Sequence, residues 1–243
     1  MTGVDAVCAA WREAGSAVFL TGAGVSTESG LRDFTGANGR YAEHSTQEIL
    51  SHDFMLANPS LFQQFCRERL YAPNARPNVF HKAAAAWERS GLSSGIITQN
   101  IDRLHHAAGS VNIIELHGNM QSVYCDACGA EFPLLAFMSK PIRGEHRCNC
   151  GGMCRPAIVL YGEKLSGNVL GEALSIIDRA PLLIVAGTRV RVTAPLDIMS
   201  RFKERPGVSV YIGDTPPDTC DFDITIKGQI GEITEQLVRG IGF

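Results

Sequence analysis

No run of apolar residues in this chain approaches the roughly 20 that a bilayer-crossing helix needs, so no membrane role is expected. The stretch from Met1 to Trp11 lacks the basic start and apolar core of a signal peptide, which points to the cytoplasm. A basic excess is also missing: 22 Lys and Arg face 25 Asp and Glu, a net charge of −3. That balance offers no general attraction to nucleic acid or to an anionic membrane. Internal repeats and low-complexity segments are absent as well. What remains is an ordinary globular composition, 45% hydrophobic and 19% charged over 243 residues. Such a chain can bury a sizeable core and fits one large domain carrying a smaller inserted module.

Short apolar stretches alternate with helical ones. Val4, Val7, Cys8 and Trp11 recur at helical spacing, and Ala17 to Leu20 follows as a buried strand. Further strands are expected at Gly95–Thr98, Ile113–Leu116, Pro181–Gly187, Val208–Gly213 and Phe222–Ile226. Helices are expected over His81–Glu88, around 194–204 and over Ile230–Val238. This alternation predicts an α/β fold, a Rossmann-like parallel sheet with helices on both faces. Residues 36–78, polar and helical in pattern, and residues 121–156, rich in cysteine, interrupt it. They read as two insertions forming a small helical and metal-binding domain, and leave residues 1–35, 79–120 and 157–243 to the sheet domain.

Of eight cysteines, Cys125, Cys128, Cys148, Cys150 and Cys154 crowd one segment, while Cys8, Cys66 and Cys220 stand alone as small apolar residues. Clustered cysteines in a reducing compartment are metal ligands more often than disulfides. Cys125-x2-Cys128 and Cys148-x-Cys150, with nineteen residues between the pairs, can close a tetrahedral four-thiolate shell around one structural Zn2+. Cys154 and His146 are spare candidates. A redox-active C-x-x-C is the weaker alternative, because it leaves the second pair without a role.

The first strand ends in Gly22-Ala23-Gly24. Glycines allow a tight turn there, and N–H groups at a following helix start can hold a pyrophosphate. Thr27 occupies the place of the usual third glycine, so a plain glycine turn is the competing reading. His117 follows the Ile113–Leu116 strand, close to the Thr98–Asp102 turn, and strand C-terminal ends are where open parallel sheets bind ligands. Its imidazole suits proton transfer near neutral pH. The default for His44, His52, His81, His105, His106 and His146 is a structural role.

The longer stretch from Gly22 to Phe34 resembles the NAD loop of sirtuins. Thr98-Gln99-Asn100-Ile101-Asp102 matches that family's nicotinamide-pocket motif, and His117-Gly118 its catalytic histidine. The cysteine cluster with Cys148-Asn149-Cys150-Gly151-Gly152, then Val159-Leu160-Tyr161-Gly162-Glu163 and Gly187-Thr188, follow in the family's order. The likeness covers nearly the whole chain and is nearest to the bacterial, undifferentiated class. It implies an NAD-dependent protein-lysine deacylase with NAD as co-substrate and an acyl-lysine protein or peptide as partner. The acyl oxygen would attack the nicotinamide ribose and expel nicotinamide. His117 would then act as general base on a ribose hydroxyl, yielding free lysine and O-acyl-ADP-ribose.

The resemblance also implies site roles. Asn100 and Asp102 would be catalytic beside His117. The cofactor would be held by Gly22, Ala23, Gly24, Ser26, Asp33, Phe34, Gln99, Asn100, Ile101, Asp102, Gly187, Thr188 and Gly213. Val159, Leu160, Tyr161, Gly162 and Glu163, with the loop after Thr188, would hold the peptide as an added strand. The competing reading of Asn100 and Asp102 is that they cap a helix.

The sequence departs from the family in places. Arg32-Asp33-Phe34-Thr35 lacks an arginine the family carries, Arg189 replaces a serine, and Asp214 stands where an asparagine is usual. Asp214 is expected to bind the adenosine ribose and pair with Arg189, the alternative being two solvent-facing charges. Cys66-Arg67-Glu68-Arg69 keeps the arginine but not the tyrosine of a motif that selects acidic acyl groups, so acetyl or longer apolar groups are expected over succinyl. ADP-ribosyl transfer or NAD hydrolysis on the same site is the nearest alternative. A hydride-transferring dehydrogenase and a nucleic-acid-binding zinc ribbon stand further off.

Overall fold

The computed structural model describes residues 3–31, 44–138 and 146–242. Helix α1 (Gly3–Ala14) buries Val7, Cys8 and Trp11 and leads into β1 (Ala17–Thr21), all five residues of which are buried. A 3-10 turn follows at Ala23–Ser29. The first insertion supplies α2 (Thr46–Ile49), α3 (His52–Ala57) and α4 (Pro59–Phe65), the last continuing into a π-helical turn at Cys66–Leu70. The side chains of Ser45 and Ser51 cap α2 and α3 by accepting from Glu48 N–H and Phe54 N–H.

The chain returns to the main sheet through α5 (Val79–Arg89), β2 (Ser93–Thr98), α6 (Leu104–Ala108) and β3 (Ile113–Glu115). The second insertion contributes β4 (Gly118–Cys125), β5 (Glu131–Pro133), α7 (Leu134–Met138) and β6 (Cys154–Ile158). Then come α8 (Gly167–Ile177), β7 (Leu182–Ala186), α9 (Thr193–Lys203), β8 (Val208–Gly213), β9 (Ile224–Lys227) and α10 (Ile230–Ile241).

Six strands pair in parallel in the order β3-β2-β1-β7-β8-β9. With the second insertion's strands set aside, this is the doubly wound order of dinucleotide-binding sheets, and it reverses direction between β1 and β7. Both faces are covered, which is why the strands read as continuous apolar runs. Within β1, Ala17 and Phe19 join the cluster under α1, α5 and α10, while Val18 and Leu20 join the one under α8 and α9. Phe19 lies 5.6 Å from Trp11, 5.8 Å from Phe80 and 5.9 Å from Trp87 between ring centroids.

The two insertions pack on one another. Ile49, Phe54, Phe62 and Phe65 from the first share a third apolar cluster with Val123, Phe137 and Met153 from the second. A small antiparallel sheet, β5-β4-β6, backs that cluster. Gln63 joins the halves: its Nε2 donates to the carbonyls of His146 (3.0 Å) and Cys154 (2.8 Å), and its Oε1 accepts from His146 N–H (2.7 Å). Helix α8 and the small sheet were not expected from the sequence. Two glycines blur the helical signal of α8, and strands as short as β5 carry little periodicity.

Candidate active site and cysteine centre

The reversal between β1 and β7 opens a cavity of about 1230 Å³ at the carboxyl ends of the strands. It exceeds the roughly 300–1,000 Å³ of common small-molecule sites, room for a dinucleotide and a second reactant. Gly22, Ala23 and Gly24 line it after β1, Gln99, Asn100 and Ile101 after β2, and His117 after β3. Gly187, Thr188 and Arg189 follow β7, Gly213 ends β8 with Asp214 after it, and Val159 to Glu163 form another wall.

The glycines also let two loops meet. Gly24 N–H donates to Gly187 O at 2.8 Å. A Cβ on Gly24 would stand 2.7 Å from Gly187 Cα, and one on Gly187, whose φ is +63°, would stand 2.4 Å from Val25 N. The missing side chains therefore let two strand-end loops touch, and that contact shapes the cavity floor. Gln99 adds a second tie across the same gap, its Nε2 donating to Thr188 Oγ1 at 2.8 Å.

Asn100 is buried, with Nδ2 donating to Gly22 O and to Ser26 Oγ, both at 3.1 Å. Ser26 Oγ–H donates to Asp102 Oδ2 at 2.6 Å. The other carboxylate oxygen of Asp102 accepts Leu104 N–H at 2.8 Å, so Asp102 holds the first N–H of α6 and anchors the Asn100 network at once. Ser26 and Asp102 are not among the cavity-lining residues; they hold Asn100 from behind. Asp33 and Phe34, like Thr35, lie outside the described residues.

His117 Nδ1 lies 3.1 Å from Gln99 O. A carbonyl only accepts, so Nδ1 carries the proton and Nε2 the lone pair. Burial pushes the imidazole pKa below 6.5, against a smaller upward pull from the Gln99 bond; the ring is neutral at pH 7. Behind the site, His81 and His105 pack with ring centroids 4.8 Å apart. Burial pushes His81 down to about 4, opposed by the Asp102 charge, and lowers His105 well below 6.5.

One expectation needs correction. Arg189 and Asp214 both line the cavity and are exposed, but no ion pair joins them among the described residues; in high dielectric two such charges gain too little to hold each other. The Glu163 carboxylate is occupied by Arg155 and by Leu160 N–H, so it fixes its loop. Sequence reading missed Arg155, and also Gln63 and the 2.8 Å Thr21–Thr98 hydroxyl bond, whose partners are distant in sequence. The one available signal was a single charge, Arg155, in the otherwise uncharged run Cys154–Leu160.

Away from the cavity, the ligand atoms of Cys125, Cys128, Cys148 and Cys150 all lie within 4.8 Å of one another. Tetrahedral zinc with bonds of about 2.3 Å places sulfurs about 3.8 Å apart, and Cys125–Cys150 at 3.5 Å and Cys128–Cys148 at 3.7 Å fit that. A Cβ on Gly152 would come within 2.6 Å of Cys125 Sγ, so glycine there leaves room over the thiolates. Cys154 belongs to the apolar cluster, and His146 is buried beside Phe132 and Phe137; neither joins the four.

The profile of the Sir2 family matches residues 22–194. The chain belongs to the Sir2 family. An NAD-dependent protein deacetylase of Cutibacterium acnes is 42% identical over 94% of this chain and 95% of its own. Among solved sirtuin structures, a Sir2 homologue in complex with NAD superposes with a TM-score of 0.88 at 33% identity, covering 98% of this chain and 93% of that one. Sir2Tm bound to a propionylated peptide superposes at 0.89 with 31% identity, covering 99% and 100%. The sirtuin fold thus brings a parallel six-stranded sheet, an NAD-sized cavity and a cysteine centre suited to one structural zinc into a single chain.

Proposed function

We propose that this sirtuin is an NAD-dependent protein-lysine deacylase working from the cavity between β1 and β7, with His117 as its general base. The observation that carries the proposal is the state of His117: Nδ1–H is committed to Gln99 O, and burial keeps the ring neutral. Nε2 is then free to take a proton in a cavity that also presents Asn100. NAD, once bound, supplies the acceptor, giving up nicotinamide from its ribose so that the acyl group leaves lysine on ADP-ribose.

The chain's own residues bind and orient. Gly22 to Gly24, Gln99, Ile101, Gly187 to Arg189, Gly213 and Asp214 would line the dinucleotide. Asn100, its Nδ2 held by Gly22 O and Ser26 Oγ, would orient ribose and nicotinamide, with Ser26 and Asp102 acting through it. Val159 to Gly162 and the loop after Thr188 would take the acyl-lysine peptide between them as an added strand. Phe34 would shield the reacting carbon from water.

Cys66 is buried in the third apolar cluster and Arg69 is exposed; neither lines the cavity. That supports acetyl or longer apolar acyl groups over succinyl. We divide the chain into a dinucleotide-binding domain (1–35, 79–120, 157–243) and a small domain (36–78, 121–156), the latter supported by the cluster its halves share. A four-thiolate centre requires reduced cysteines, which supports a cytoplasmic enzyme. The net charge of −3 supports a protein substrate in place of nucleic acid or membrane.

The test is incubation with an acetyl-lysine peptide, with and without NAD, following peptide mass and free nicotinamide. Deacylation and nicotinamide release in equal amounts, dependent on NAD and lost in His117→Ala, are expected. Nicotinamide release without deacylation would move the assignment to ADP-ribosyl transfer or NAD hydrolysis.

A further inference from the structure

Arg155 in β6 is an arginine with 0% exposure. Its guanidinium meets the Glu163 carboxylate at two points, Nη1 with Oε1 and Nη2 with Oε2, the latter at 2.8 Å. Nη2 also donates to Ile158 O at 2.8 Å. Nη1 lies 3.4 Å from Asp126 Oδ1, on the turn between Cys125 and Cys128. The group sits 5.3 Å over the Tyr124 ring. A buried ion pair is a poor source of stability compared with apolar packing, so its value here lies in what it holds in place.

What it holds is the wall from Val159 to Glu163. Glu163 Oε2, set by Arg155, accepts Leu160 N–H at 2.8 Å. Val159 N–H donates to His117 O at 2.9 Å, which ties the same wall to the general base. Tyr161 N–H donates to Leu50 O and Tyr161 O accepts His52 N–H, both at 2.9 Å. His52 Nε2 in turn lies 3.9 Å from Asp126 Oδ2. The strip is therefore moored to the main sheet, the helical insertion and the cysteine knuckle, and Arg155 makes the third mooring.

We propose that Arg155 is a positioning residue for the peptide substrate: through Glu163 and Asp126 it fixes the Val159–Gly162 strip and ties it to the cysteine knuckle. The inference rests on reading that strip as the peptide site. The loops read as holding NAD, Gly22–Gly24 and Gly187–Arg189, follow β1 and β7, outside this hydrogen-bond set.

The experiment compares Arg155→Met, Glu163→Gln and Tyr161→Ala in the full zinc-loaded chain. Zinc per chain, KM for peptide, KM for NAD and amide exchange at Leu160 are measured for each. Arg155→Met and Glu163→Gln are expected to keep their zinc and speed exchange at Leu160. Both should raise the peptide KM about tenfold, with the NAD KM within about twofold, the signature of lost substrate binding. Glu163→Gln preserves shape and an acceptor for Leu160, so it decides the matter if Arg155→Met does not fold. A normal peptide KM in Glu163→Gln, or an equal rise in both KM values, overturns the proposal. If Tyr161→Ala raises the peptide KM while Glu163→Gln does not, the strip stands as the peptide site and Arg155 loses its role. If Tyr161→Ala also leaves it unchanged, the strip reading falls and the inference with it.

Discussion

The parallel sheet and the paired insertions solve the same problem by different means. The sheet has apolar strands and two apolar clusters, one on each face, with Trp11, Phe19, Phe80 and Trp87 gathered on one side. The insertions share a single cluster, reinforced by a Gln63 clamp, four convergent thiols and the Arg155–Glu163 pair. Small cores bury too little apolar surface to offset chain entropy and rely on staples. The staples lie in and beside the insertions, whereas the cavity loops Gly22–Gly24 and Gly187–Arg189 grow from the ends of strands packed on both faces.

The sharpest way to break this contrast is to remove the staple. Chelation of zinc, or Cys148→Ser, should melt the insertions in a separate low-temperature calorimetric transition while the sheet melts near its usual temperature. Structural zinc in small modules is worth on the order of 10 kcal/mol. A single unchanged transition would mean the insertions do not depend on their metal. On the sheet side, Phe19→Ala should cost about 3–5 kcal/mol, as large aromatic deletions from cores do. Denaturant unfolding would read that loss, with zinc content unaffected.

Gln63→Leu should cost less, on the order of 1–3 kcal/mol, because it removes the three hydrogen bonds by which Gln63 joins the two insertions. A loss confined to the insertion transition would sharpen the comparison; an equal loss in both would blur it. A further effect is one of pH. His81 and His105 have folded-state values below 6.5, His81 about 4, so the unfolded chain binds their protons first. Stability should be full above about pH 6.5 and decline as pH falls toward 4. As the proposed general base, His117 acts in its neutral form, and its pKa is also lowered by burial. The midpoint of the acid limb of kcat/KM should therefore lie below pH 6.5, and a midpoint above that would show the ring to be less buried in solution.

Legibility followed the range of the interactions. Cys125, Cys128, Cys148 and Cys150 could be read from spacing because each pair is a local turn whose ligand geometry depends on few intervening residues. The strands of the main sheet were readable because burial on both faces leaves an uninterrupted apolar run. The order of motifs around Asn100 and His117 pointed to the chemistry. Helix α8 escaped because Gly167 and Gly171 weaken its local signal.

The sequence by itself determined the alternating α/β pattern, the metal-ligand set and the residues at the strand ends. Only the tertiary structure decided that Gly24 and Gly187 make room for each other, that Asp102 braces Asn100 from behind, and that Glu163 turns to Arg155. It also decided that Arg189 and Asp214 do not pair. Each of these depends on which groups the fold brings together and which it leaves facing water. Local propensity carries no record of such meetings, while burial makes them energetically decisive.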